Sequence, residues 1–371
     1  MIKDLLRPWK FRAACLPWKF AAATGLWTGE GAPVQFVIEK ADWAIRWVGE
    51  NIRDEINGIH PETVATTVEP QRIANRVVHF GSQYMWLTWG AHMPRGNSYV
   101  TSFFHGKRED GPDVAEHIDR FLDSVPSLSK IVTGAGLIER RLLEWGVPRE
   151  MVVRIPIGVD TRVFVPPTSA QRTTVRERFG LAPDRMVVGS FQKDGMGWGD
   201  GMEPKRIKGP DIFVEAVAKL AKHHPVTVFL TGPARGFVKQ ALERLGIPFV
   251  HTYAKNHHDL AECYHALDLY FVTSREEGGP MGLMESMASG VPVVSTPVGM
   301  APDLLVDGVS GGLATDVESE QIVASALSIL DLPDEGMELR RLAGIAVQSC
   351  AWPVVARAHY EQVYVPLMEH L

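Results

Sequence analysis

Cysteine is scarce. Cys15, Cys263 and Cys350 lie far apart and show no metal-ligand spacing. That excludes a disulfide framework and a zinc module, and it fits a reducing cytoplasm. No apolar run reaches about 18 residues, so no transmembrane helix is expected. No repeat recurs at a fixed period, and there is no low-complexity tract. Positive charge is not in excess: 38 Lys and Arg against 44 Asp and Glu give a net charge of −6, which excludes a general pull toward nucleic acid. What is there is a globular composition, 45% hydrophobic and 22% charged. Its 371 residues suit two α/β domains, each able to bury its own core.

The most informative stretch runs from Leu267 to Ser295. Leu267 to Thr273 is an apolar run of strand length. Glu277, Gly278, Gly279 and Pro280 break it, and a helix follows with Pro280 near its first turn, where a missing N–H costs nothing. Met281, Met284, Met287 and Ala288 recur at helical spacing and should face a core. Gly290 stops the helix and Val291 to Ser295 form the next strand. A Gly-Gly loop opening into a helix offers free N–H groups and a positive dipole end to an anion. Glu277 in the loop and Glu285 in the helix would repel that anion, so they suit hydroxyls of a sugar or a ribose. An ordinary βαβ unit with two surface acids is the plain alternative.

Glu277 and Glu285, set in Ser-x-x-Glu-Gly-Gly-Pro-x-x-Leu-x-Glu-Ser-Met-Ala-Ser-Gly-Val-Pro-Val-Val, resemble the donor-site signature of the GT-B retaining glycosyltransferases of glycosyltransferase family 4. The resemblance implies that Glu277 lies by the transferred sugar. It implies that the N–H groups of Gly278, Gly279, Met281, Gly282 and Leu283 hold sugar and diphosphate, and that Glu285 binds the ribose. The family also carries an arginine and a lysine, as Gly-Arg and Lys-Gly. Lys208-Gly209 matches the second. At the first, Gly189-Ser190 has serine in place of arginine, and Lys193 is expected to supply the charge. The glycine-rich run Gly195 to Gly201 between them reads as a flexible loop, with Lys205 and Arg206 as its solvated flank.

Residues 1–32 interleave Lys3, Arg7, Lys10, Arg12 and Lys19 with Trp9, Phe11, Trp18, Phe20 and Trp27. They do not read as a secretory signal, since Pro8 and Pro17 interrupt them. Two readings stay open: an arm at a membrane interface, or one that packs its tryptophans on the protein's own surface. Strands are expected at 34–39, 76–80, 98–104 and 130–133. Between the second and third, Tyr84 to His92 reads as an aromatic-rich loop, for an acceptor sugar or for packing. His105 ends the third strand at a sheet edge where open α/β folds bind ligands. Such a histidine can be structural; the resemblance places it near the sugar. Val152 to Asp160 resembles the family's inter-domain segment, with Ile157 where asparagine is usual, and Pro166-Pro167-Thr168-Ser169 reads as a linker.

The alternation of strands and helices implies parallel sheets. The expected fold class is α/β, GT-B: two doubly wound Rossmann-like domains facing across a cleft. Residues 1–32 form the arm, 33–160 the acceptor-side domain, 161–350 the nucleotide-sugar-binding domain, and 351–371 a helix crossing back. The implied function is retaining transfer of a hexosyl group from a nucleotide diphosphate sugar to a sugar, glycan or lipid-linked acceptor. No cofactor is expected, and no metal, since the chain has no Asp-x-Asp. The expected setting is cytoplasmic, with peripheral contact at the inner face of a membrane left open. A catalytically inactive GT-B scaffold is the alternative. A nicotinamide-dependent oxidoreductase is disfavoured, because no Gly-x-Gly-x-x-Gly follows the strand at 34–39 or at 186–191.

Overall fold

The computed structural model describes residues 7–371 apart from Thr28, Glu30, Asp42, Trp43 and Arg95. Lys3, used in the expectations above, lies outside the described residues, as do the side chains of Arg7 and Trp9. The chain forms two compact units. One comprises residues 1–158 and 352–371, the other residues 159–351.

The first unit is built on a parallel sheet in the order β2-β1-β3-β4-β5-β6. Its strands are β1 (Val34–Val37), β2 (Val64–Thr67), β3 (Val77–Phe80), β4 (Ser98–Ser102), β5 (Lys130–Thr133) and β6 (Val152–Arg154). β1 and β3 are buried along their whole length, as strands covered on both faces must be. β2 was not expected from the sequence. It is an edge strand in which only Val64 is fully buried, so it lacks the continuous apolar run that marks its neighbours.

Tyr84 to His92, expected as a loop, is helical. Ser82 caps a helix over Gln83–Trp89, its hydroxyl accepting from the Met85 N–H at 3.3 Å, and a 3-10 turn follows at Gly90–His92. Trp86 is buried and donates to the Ser124 hydroxyl at 2.8 Å. The arm is helical too, over Arg7–Ala23, and continues through Pro17. Phe11 meets Trp89 edge-on at 4.5 Å, Trp18 meets Trp27 at 5.3 Å, and Trp27 donates to the Arg72 carbonyl at 2.8 Å. The arm's described tryptophans therefore pack on the first unit itself.

The last helix belongs to this unit. It runs over Trp352–His359, passes through a π turn at Tyr360–Tyr364 and ends with Val365–Met368. Trp352 has no exposed surface and lies edge-on to Trp47 at 5.1 Å. A Cβ on Gly158 would sit 2.3 Å from its ring. Tyr364 bonds to Nδ1 of the buried His79 at 2.8 Å, and the other ring nitrogen meets the Ser102 hydroxyl at 3.0 Å. Burial holds the His79 pKa well below the usual histidine range, which keeps this junction neutral.

The second unit has a parallel sheet in the order β12-β11-β10-β7-β8-β9. Its strands are β7 (Met186–Ser190), β8 (Val226–Thr231), β9 (Phe249–Thr252), β10 (Leu269–Val272), β11 (Val293–Ser295) and β12 (Gly312–Leu313). Successive strands step outward from β7 on one side and from β10 on the other. The order therefore reverses between β7 and β10, a topological switch point of the kind at which open α/β sheets bind ligands. Phe213, Val217, Val228, Leu230, Leu269, Phe271 and Ile322 fill the core beneath. The supposed linker is a helix cap: the Thr168 hydroxyl accepts from the Gln171 N–H at 3.3 Å and starts the helix Ser169–Arg178.

Trp352→Ala should destabilise the first unit by about 3–5 kcal/mol, the usual cost of truncating a fully buried tryptophan. The shift in its urea midpoint measures this.

Candidate active site

The candidate site lies at the switch between β7 and β10. The Lys208 ammonium forms an ion pair with the Glu277 carboxylate. Ser274 also donates to Glu277, at 3.0 Å. The two loops are joined along their length. Arg275 N–H donates to the Ile207 carbonyl at 2.8 Å and the Thr273 hydroxyl to the Gly209 carbonyl at 2.9 Å, while within the loop after β7 the Gln192 amide donates to the Lys208 carbonyl at 3.0 Å. Asp211 takes Arg275 at 2.8 Å and Arg206 at 2.7 Å, so Arg206 is paired rather than merely solvated.

Gly209 makes this joint close. It is left-handed, with φ of +61°, and a Cβ there would lie 1.8 Å from the Thr273 carbonyl oxygen. Any other residue would separate the two loops.

The helix Met281–Ala288 starts where the Glu277 loop ends. Its first N–H groups, at Met281 and Gly282, have no intrahelical acceptor and point with the positive end of the dipole. Leu283 differs from the expectation: its N–H donates to the Pro280 carbonyl at 3.0 Å and its side chain is in the core. Gly282 sits over Tyr270, with a built Cβ 2.2 Å from the phenol oxygen.

Glu285 is buried one turn further in, and accepts from the Tyr264 hydroxyl at 2.7 Å. Burial pushes its carboxyl up to about 7, the tyrosine hydrogen bond offsetting only part of that. A carboxylate held this way can accept from a pair of neighbouring hydroxyls.

Lys193 is placed otherwise than expected. Its ammonium lies over the Trp198 ring, 3.7 Å from the centroid. The cation beside Ser190 is instead Arg235, from the loop after β8, which donates to the Ser190 carbonyl at 2.6 Å. Sequence reading missed it. Its one local sign is its place in Gly232-Pro233-Ala234-Arg235-Gly236, a strand-to-helix turn beside the switch. Lys205 is half-buried, and burial, then the Lys208 and Lys193 charges, lower its pKa, so these lysines share one electrostatic neighbourhood. His105 belongs to the first unit, near Tyr84 and His117, and its carbonyl accepts from Gln83 at 3.2 Å.

Residues 203–344, which contain Lys208, Glu277 and Glu285, match the family described as Glycosyl transferases group 1. The matched residues make up most of the second unit. Among curated proteins, the chain is 31% identical over 170 residues to a lipopolysaccharide core biosynthesis mannosyltransferase, LpsB, of Rhizobium meliloti, covering 44% of each chain. It is 31% identical over 201 residues to a D-inositol 3-phosphate glycosyltransferase of Segniliparus rotundus, covering 52% of this chain and 42% of that one. The match thus spans less than half the length of these relatives. Anabaena HepE, solved with UDP and glucose, superposes with a TM-score of 0.71 at 18% identity, covering 90% of this chain and all of that one. A sucrose-phosphate synthase from Thermosynechococcus elongatus gives 0.72 at 16%, covering 92% and 100%. The fold that houses the matched residues is GT-B, as expected from its two parallel sheets.

The Glu285 carboxyl predicts a pH dependence. Its folded pKa lies above the unfolded value of 4.5, so its contribution to stability is fully present below about 4.5 and is lost as pH rises through about 7. The loss is on the order of 3 kcal/mol at most. Denaturation of the wild type and of Glu285→Gln between pH 5 and 8 should show a slope that the variant lacks.

Proposed function

We propose that the protein transfers a hexosyl group from a nucleoside diphosphate sugar to an acceptor hydroxyl, with retention at the anomeric carbon and without a metal ion. The observation that carries this reading is the meeting of Lys208 and Glu277 directly ahead of the helix Met281–Ala288. Lysine is a point-charge phosphate ligand, and an ammonium with a helix N-terminus can take the charge of a departing diphosphate. In this reading Lys208 exchanges Glu277 for the diphosphate, and the N–H groups of Gly278, Gly279, Met281 and Gly282 complete the anion site. Glu277, released, orients the sugar and tolerates the positive charge that develops on it. Glu285 takes the ribose hydroxyls. The leaving diphosphate oxygen accepts the proton of the acceptor hydroxyl. His105 is assigned to the sugar on the resemblance alone, and no cofactor is assigned. The acceptor class proposed is a sugar, glycan or lipid-linked hydroxyl, in line with the names of the curated relatives.

The test is a panel of nucleoside diphosphate sugars scored for transfer and for the anomeric configuration of the product. Lys208→Ala should slow transfer by about 10- to 100-fold, the worth of one charge-assisted contact. Glu277→Gln should lower kcat with little change in UDP affinity, because only Glu277 can interact more strongly in the transition state. Glu285→Gln should mainly weaken UDP binding. EDTA should leave turnover intact. The reverse assignment of kcat and affinity losses, or loss in EDTA restored by Mg²⁺, would overturn these roles.

Peripheral membrane contact at the cytoplasmic face is part of the proposal. No helix among the described residues is long and apolar enough to cross a membrane. The arm helix instead exposes Leu16 and Phe20 on one face, with Leu26 just beyond it, beside Lys10, Arg12 and Lys19. An apolar face flanked by cations suits an anionic bilayer interface. Leu16→Glu with Phe20→Glu should reduce co-sedimentation with phosphatidylglycerol vesicles at low salt and leave UDP binding unchanged; equal sedimentation would refute the contact.

A further inference from the structure

The glycine-rich excursion between β7 and helix Pro210–Leu220 is pinned in place, not loose. At its root Gly195 pairs with Pro204, Met196 N–H donates to the Glu203 carbonyl at 2.8 Å, and Lys205 N–H donates to the Asp194 carbonyl at 2.7 Å. Further along, the Asp200 and Gly201 carbonyls accept from Gly236 at 2.6 Å and Phe237 at 3.0 Å, the first N–H groups of helix Gly236–Leu245. Gly195 and Gly201 lie so close to Ala234 that a Cβ on either would come within 2.3 and 2.2 Å of its carbonyl oxygen.

Beneath the excursion lies a buried ion pair. Arg235 meets Asp194 at 3.0 Å, with side-chain exposures of 0% and 1%. Its guanidinium also donates to the Ser190 carbonyl at 2.6 Å and the Thr231 carbonyl at 3.0 Å, the ends of β7 and β8. Asp194 Oδ1 and Arg235 Nε find no hydrogen-bond partner among the described residues. Such a pair is a poor way to gain stability, since apolar side chains of equal volume commonly hold a loop as well. What it adds is direction. The fork is fixed to two strand ends, so Asp194 is fixed to the sheet.

From Asp194 a short run of hydrogen bonds leads into the candidate site. The Asp194 carbonyl holds Lys205, and the Lys205 carbonyl accepts from the Lys208 N–H at 2.8 Å. Lys208 then reaches Glu277.

We propose that Asp194 and Arg235 are a positioning pair for Lys208, setting its placement over the Glu277 loop and through it the affinity for a nucleoside diphosphate. This rests on the reading of Lys208 as the diphosphate ligand. The pair itself is buried and touches no ligand. It fills the place beside Ser190 with a cation that faces inward, and acts on the anion site only through the chain.

The test is a double-mutant cycle. UDP and GDP are titrated calorimetrically against the wild type, Asp194→Asn, Lys208→Ala and the double variant, and the tighter nucleotide is carried through. Asp194→Asn should weaken binding by about tenfold in the wild-type background and by less than about twofold in the Lys208→Ala background, the mark of residues acting as one unit. Should Asp194→Asn fail to fold, Asp194→Leu with Arg235→Met, which removes both buried charges, takes its place in the cycle. Equal weakening in both backgrounds, or none in either, overturns the inference and leaves the pair a packing element. Failure of the donor reading looks different: a wild type that binds neither nucleotide, or a Lys208→Ala variant that binds as tightly as the wild type, overturns that reading and the positioning role with it.

Discussion

Gly209 lets the backbone that follows β7 lie against the backbone that follows β10, at a separation no side chain permits. The arrangement of the second unit around its switch point depends on that approach. It brings the 3-10 turn carrying Lys208 over the loop carrying Glu277, and Arg275, Asp211 and Arg206 then close the seam from outside. The ion pair of Lys208 with Glu277 is the product of this fit. Each neutralises the other, so on the proposed reading a diphosphate has to displace a carboxylate already in place.

The parts of the site that could be read from sequence are those whose chemistry is local. Glu277, the two glycines, Pro280 and Glu285 lie within one strand–loop–helix unit, and Lys208-Gly209 sits at the start of another. Leu283 shows the limit of even local reading: it falls inside the motif, yet the tight first turn uses its N–H and the core uses its side chain. Lys193 and Arg235 were illegible for a different reason. Whether a lysine in a glycine-rich loop points at an anion or at an indole depends on how the loop is pinned. The pinning comes from Arg235, some forty residues away in sequence and in the loop after the neighbouring strand. Nothing in the spacing of either residue encodes that neighbourhood.

The same division holds for the fold. Buried central strands announce themselves as apolar runs, and β1, β3, β7 and β10 are all legible. β2, at the sheet edge and half polar, is not. The aromatic segment before β4 reads as a loop from sequence because tryptophan and tyrosine crowd it. Ser82 supplies the cap, and burial of Trp86 supplies the packing that makes it a helix. In the arm, contacts with Arg72 decide that Trp18 and Trp27 turn inward, leaving Leu16 and Phe20 outside.

The chain leaves the first unit after Gly158 and re-enters it at Trp352. At the base of the second unit Val159 pairs with Ala351, and Val159 N–H donates to the Cys350 carbonyl at 2.8 Å. The two ends of the second unit are therefore neighbours. Topologically it is a cassette, an uninterrupted segment inserted into the loop of a host whose own two pieces pack together at Gly158 and Trp352. Entry and exit lie side by side, so the whole second unit can be exchanged between hosts of this topology without threading a strand through either core, provided that the buried residues at the joint are kept.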